Sequence, residues 1–266
     1  MKGLASVVCA ILLAVPALAG TLELSLGGGP AATSLDDFNS SILVFNALIE
    51  HLNETFDVHP DVAGTVPTLA PLTSGWTLCA AERYWLGEVF AFGATLSFAR
   101  CTTATRGQYH GAETSTISVD AALQTVEAAV AARITFLDVG LRLSLDASLG
   151  YTHATFAHEV VFEIPSEYPS AISGVPPSSE GRHTGGTIGI HVGFSIAVPI
   201  VSGLSTEVVV AYRTAKVPGF RNAAGESLDF DGNGTPESAN LAGLAVQLRF
   251  SLAMNLSLDG ENGETP

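Results

Sequence analysis

Between positions 139 and 151 the chain alternates without a fault. Val139, Leu141, Leu143, Leu145, Ala147, Leu149 and Tyr151 are apolar, and the positions between them hold only Gly, Arg, Ser and Asp. A period of two puts the two sets on opposite faces of a β-strand. The pattern recurs along the chain. It predicts eight strands, at 21–26, 76–86, 89–100, 116–136, 139–151, 187–198, 204–215 and 243–252. In the second, adjacent Glu82 and Arg83 break the phase, and a β-bulge would reconcile them. Leu137-Asp138 reads as the turn into the fifth strand, and 101–113 reads as a polar loop. Residues 155–164 could carry the fifth strand beyond a bilayer.

One segment has another period. Leu35, Phe38, Ile42, Phe45, Ile49, Leu52 and Phe56 recur at steps of three and four. Asp36, Asn39, Glu50, Asn53 and Glu54 lie off that seam, which predicts an amphipathic helix over 34–56. Ser34 with Asp37 suggests a capping-box-like start. Such a helix could cap a barrel mouth, lie at a lipid interface or dock a protein partner. It has neither Lys nor Arg, which an interfacial helix would use. A mouth cap or a protein contact is therefore preferred. An eight-stranded lumen is too narrow to hold it.

Which strand face meets water is decided by three patterns together. Connections are long after strands one, three, five and seven and short after two, four and six, the habit of membrane barrels. The alternating runs reach the roughly 9–11 residues that cross a bilayer at a tilt. The polar face carries Glu23, Glu127, Asp146 and Glu207 with Arg133, Arg142, Arg213 and Arg249, which suits a narrow interior where buried charges need partners. Composition agrees. Of 266 residues 47% are hydrophobic and 14% charged, the only lysines are Lys2 and Lys216, and mean hydropathy is +0.37. A water-facing sheet would need more long polar side chains. The expected fold is all-β: an eight-stranded antiparallel up-and-down transmembrane β-barrel with one amphipathic helix in the first long loop. Arg142 and Asp146 should be buried and bridged to neighbouring strands.

The first residues read as a secretory leader. Lys2 precedes an apolar run at 4–15, and Ala17-Leu18-Ala19 is a small-x-small site. This divides the chain into a cleaved signal peptide at 1–19, a barrel at 20–258 and an acidic tail at 259–266. Cys79 and Cys101 remain in the exported part, either paired or buried apart. No later stretch reads as a transmembrane helix. With strand count, loop asymmetry and leader in hand, residues 20–252 resemble the small OmpA/OmpX-like outer-membrane β-barrel superfamily. The resemblance implies localisation in the cell outer membrane, with outer-membrane lipid around the barrel. The helix-bearing first loop and the tail after the eighth strand depart from it.

Function is less legible. An eight-stranded barrel is just wide enough for side chains to fill. The expected role is therefore a structural or surface-interaction protein whose lumen is plugged by its charge network. The alternative is a narrow channel or transporter for small solutes, which a wider barrel with a further hairpin from 155–183 and the helix entering the lumen would support. A net charge of −15 argues against nucleic acid. Asp229, Asp231 and Asn233, followed by Gly234, have the spacing of a Ca2+ loop. The twelfth position is Asn240, not Glu, and a loop-tip turn accounts for the same residues. His153, His158 and Glu159 form a weak metal set. His191, Ser195 and Glu207 share the lumen face, but no Gly-x-Ser-x-Gly motif is present and no enzyme is expected. The sequons at Asn39, Asn53, Asn233 and Asn255 read as chance.

Overall fold

Eight long strands follow one another round a closed ring. The computed structural model describes residues 20–163 and 178–256. The leader expected at 1–19 and the tail at 259–266 lie outside them. In chain order the elements are β1 (Gly20–Ala32), α1 (Asp36–Asp57), β2 (Ala63–Thr65), β3 (Ser74–Leu86), β4 (Phe90–His110), β5 (Thr114–Asp138), β6 (Arg142–Glu163), β7 (Ser179–Val201), β8 (Leu204–Val217), β9 (Ala239–Asn240) and β10 (Gly243–Leu256). The ring runs β1-β3-β4-β5-β6-β7-β8-β10, and β10 pairs antiparallel with both β8 and β1. Closure leaves no open edge, the condition for strands to cross a bilayer. The short β2 and β9 extend β4 and β8 at the loop end.

The three tight turns at the other end each carry a glycine with positive φ: Gly87 at 72°, Gly140 at 82° and Gly203 at 79°. The turn into β6 is therefore at 139–141, not at Leu137-Asp138, and Val139 precedes the strand. β3 keeps regular register with β1 and β4, so no bulge separates Glu82 from Arg83. Arg83 points into the lumen, and Glu82 faces outward, half-buried. The polar stretch 101–113 is not a loop. β4 continues through it to His110 and returns through a turn at 111–113.

The outer surface is an apolar belt. On β5 it runs along alternate positions from Val126 to Phe136, with Val130 52% exposed. Above the belt the two faces of the same strand exchange character. From Leu123 upward the inner positions Leu123, Ala121, Val119 and Ile117 are apolar and buried, and the outer ones include Gln124, Asp120 and Thr116. No bulge intervenes between β4 and β5 at the exchange. The lower part is built for lipid outside, and the upper part for water outside. Val130→Arg should therefore cost about 2–4 kcal/mol, as a charge near a bilayer midplane does. Ala104→Arg, on the outer face of β4 opposite Asp120, should stay within about 0.5 kcal/mol. Denaturant unfolding in lipid vesicles measures both, and equal costs would abolish the boundary.

The upper inner face needs an apolar cover, and α1 is that cover. All seven seam residues from Leu35 to Phe56 are at most 3% exposed. Phe38 meets Phe156 of β6 with ring centroids 4.5 Å apart, and Phe56 meets Tyr109 of β4 at 4.4 Å. Burying each such side chain contributes about 1.5–3 kcal/mol before chain entropy is counted. The seam's partner is thus this chain's own strands. The helix begins at Asp36, two residues later than expected, with Leu35 at the cap and no side-chain cap bond. Ser34 Oγ donates to Asp36 Oδ1 instead, so the capping box does not form.

Three asparagines one heptad apart fasten the following segment along α1. Leu72 N donates to Asn39 Oδ1, Asn46 exchanges bonds with Leu69 N and O, and Asn53 does the same with Val66. Seven helical residues rise about 10.5 Å, close to the roughly 9–10 Å of three extended residues, so the two periods match. Thr103 and Thr105 on β4 donate to Ala70 O and Pro67 O and hold the segment from its other side. Asn39 and Asn53, noted above as sequons, are structural clasps.

Candidate functional site

Register alone sets the charges face to face. Glu23 lies opposite Arg83, Arg133 opposite Asp146, and Glu207 opposite Arg249. Side chains then reach further. Arg133 is 1% exposed and pairs bidentately with Asp146, Nε to Oδ1 at 2.8 Å and NH2 to Oδ2 at 2.9 Å. Its guanidinium also crosses to Glu207 on β8, and lies 3.6 Å from Glu23 Oε1 on β1. Arg83 donates to Glu23 Oε1 at 2.9 Å and Ser25 Oγ at 3.1 Å, and sits 3.6 Å from Asp146. Trp85 Nε1 donates to Glu23 Oε2. The planar forks of two arginines thus bind carboxylates from opposite walls.

The other expected lumen charges surround this layer. Glu127 Oε2 accepts from Thr152 Oγ1 at 2.7 Å, and its Oε1 lies 2.7 Å from His191 Nε2. Arg213 Nε donates to Leu241 O, and Arg249 donates twice to Gln247 Oε1, because Glu207 is taken by Arg133. Arg142 is only half-buried. It sits at the turn end, pairs with Asp138, lies 3.7 Å from Glu23 and stacks over Trp85 at 4.9 Å. Arg83 is the network member that sequence reasoning missed. Its neighbour Glu82 obscured the phase, although Trp85, Arg83, Ala81 and Cys79 form one inward set.

A cavity lies on either side of the network. On the loop side is a cavity of about 80 Å³ lined by Glu127, His191, Arg213 and Arg249, and on the turn side one of about 180 Å³ lined by Asp138, Arg142 and Ser205. Between them stand Glu23, Arg83, Arg133, Asp146 and Glu207. Cys79 and Cys101 are buried and unpaired.

The remaining candidate residues fall in separate places. His158 lies on the inner face of β6, stacked on His183 at 5.7 Å, with its pKa pushed down to about 4 by burial and by His183. His153 and Glu159 are on the opposite face of β6, so the three do not assemble. Nor do His191, Ser195 and Glu207, since His191 meets Glu127 and Glu207 meets Arg133. Asp229 and Asp231 lie in the loop between β8 and β10, close to Glu237. Asn233 Oδ1 accepts from Thr235 N, and its amide donates to Asp231. Glu237 was missed because nothing in its sequence spacing marks it.

No family model matches the sequence, and no curated protein matches it. Similar solved structures are outer-membrane proteins. OprG of Pseudomonas aeruginosa is 10% identical, with 89% of this chain and 97% of that chain covered and a TM-score of 0.37. Neisserial surface protein A is 11% identical, with 88% and 96% covered and a TM-score of 0.41. Ail, the attachment invasion locus protein of Yersinia pestis, is 12% identical, with 89% and 100% covered and a TM-score of 0.40. Overlap this loose transfers no residue and no activity to this chain.

Proposed function

We propose that this chain is an exported outer-membrane β-barrel with a structural or surface-interaction role and a lumen closed at rest. The observation that carries this is Arg133, which ties β5 to Asp146, Glu207 and Glu23 across the barrel. In this reading the layer of paired charges is what closes the lumen. Among the described residues, the segments offered to the outside are those of the loop end, 33–73 and 218–242. Outer-membrane lipid surrounds the belt. A protein partner of α1 would have to use its outward face, where Leu43 and Val44 are exposed, because the seam is occupied. The reading includes no catalysis and no nucleic acid.

The narrow-channel reading keeps one supporting observation, the two cavities separated by a single layer of side chains. Two measurements separate these ideas. The folded protein should appear as a heat-modifiable band in an outer-membrane fraction, and recovery in the soluble fraction would overturn the barrel's location. In planar bilayers it should show no steady conductance, whereas a steady large conductance would establish the channel.

A further inference from the structure

The loop between β8 and β10 gathers three carboxylates that stand outside the lumen network. One oxygen each of Asp229, Asp231 and Glu237 lies within 4.8 Å of the other two. Oxygens bound to one Ca2+ at about 2.3–2.6 Å stand at most about 4.6–5.2 Å apart, a span that this spacing matches. Mg2+ demands near-octahedral geometry at about 2.0–2.1 Å and sheds its waters reluctantly, so a loop cluster of carboxylates suits Ca2+ better.

Proximity of acids is not itself a site, and Glu237 adds what proximity lacks. It is 4% exposed. Its Oε1 accepts from Phe230 N at 2.7 Å and from Ser41 Oγ at 3.0 Å, while Oε2 is buried without a donor. A buried carboxylate oxygen without a partner is costly, and a cation removes the cost. Burial pushes this carboxyl above the usual range, and the charge of Asp231 adds to the effect. Asp229 Oδ2 accepts from Gly234 N, and Asp231 accepts from Asn233. Ionised carboxylates keep further lone pairs for a cation. Gly232 and Gly234, both at positive φ, turn the chain sharply beside the acids.

We propose that Asp229, Asp231 and Glu237 form a calcium site that clamps the β8–β10 loop onto α1. Glu237 already joins the two through Ser41, and Phe230 packs at a tilt against Phe45 with ring centroids 4.9 Å apart. Ser238 donates to Asp37 beside them. The ion completes this junction, with water and main-chain oxygens filling its shell. Asn233 has no direct place in it.

The test uses the full chain folded in detergent, stripped with a chelator and titrated separately with CaCl2 and MgCl2. Calorimetry should show Ca2+ binding with half-saturation at about 0.1–1 mM, the range of extracellular sites. Tryptic cleavage after the exposed Arg221 should slow several-fold over the same range. Asp229→Asn with Asp231→Asn should abolish both responses while the heat-modifiable band persists. The wild-type titration stands alone should that variant not fold. Absence of binding heat and of protection up to about 10 mM, tenfold above the weakest such sites, would overturn the proposal. So would an equal response to Mg2+, or a response surviving in the double variant.

Discussion

Arg133→Met should destabilise the barrel by about 3–5 kcal/mol, the cost of removing one partner from a buried ion pair. The side chain is 1% exposed and serves three carboxylates on three strands, so its loss strands Glu207 and weakens the hold on Asp146 and Glu23. Urea unfolding in vesicles gives the number, and Trp85, bonded to Glu23, reports the network by fluorescence. Arg142→Ala is the contrast. Arg142 is half-buried at the turn end, where an ion pair contributes about 0–1 kcal/mol. Arg133→Met with Glu207→Gln should recover part of the loss, since the stranded acid goes with its partner. If Arg133→Met costs no more than Arg142→Ala, the layer is not holding the lumen shut.

The parts of this molecule legible in the sequence are those where one face is uniformly one thing. The seam from Leu35 to Phe56 is buried residue for residue as the three-four spacing predicted. The belt on β5, β6 and β7 follows the period of two. What was hidden lies where the faces change roles. At Thr125-Val126 the apolar positions of β5 pass from odd to even numbers with no insertion, because the strand leaves one surrounding for another. A shift of apolar parity inside an unbroken strand was a readable signal, and it places the boundary of the belt. Residues 101–110 looked like a loop because both faces are polar there. Thr103 and Thr105 point inward to bond the 66–72 segment, a partner no local pattern announces. Arg83 and Glu237 were missed for related reasons, one beside an outward acid that blurred the phase, the other meeting its partners only once the loop folds.

Phe38→Ala should free the cap without opening the ring. Phe38 is fully buried, packs on Phe156 at 4.5 Å and Phe220 at 5.6 Å, and joins α1 to the inner wall of β6. Truncating a buried phenylalanine costs about 3–5 kcal/mol. The wall strands keep their ladder bonds in the ring, whereas α1 depends on its seam, so the loss should fall on local opening of the cap. At about 1.4 kcal/mol per tenfold, amides of α1 and of 66–72 should exchange about two to more than three orders of magnitude faster. Amides of β5 within the belt should be unchanged. Leu43→Ala, on the outward face and 67% exposed, should leave both sets within a factor of about two. Equal acceleration of belt and cap amides would mean that helix and ring open as one unit. Equal effects of the two substitutions would mean that α1 does not dock through its seam.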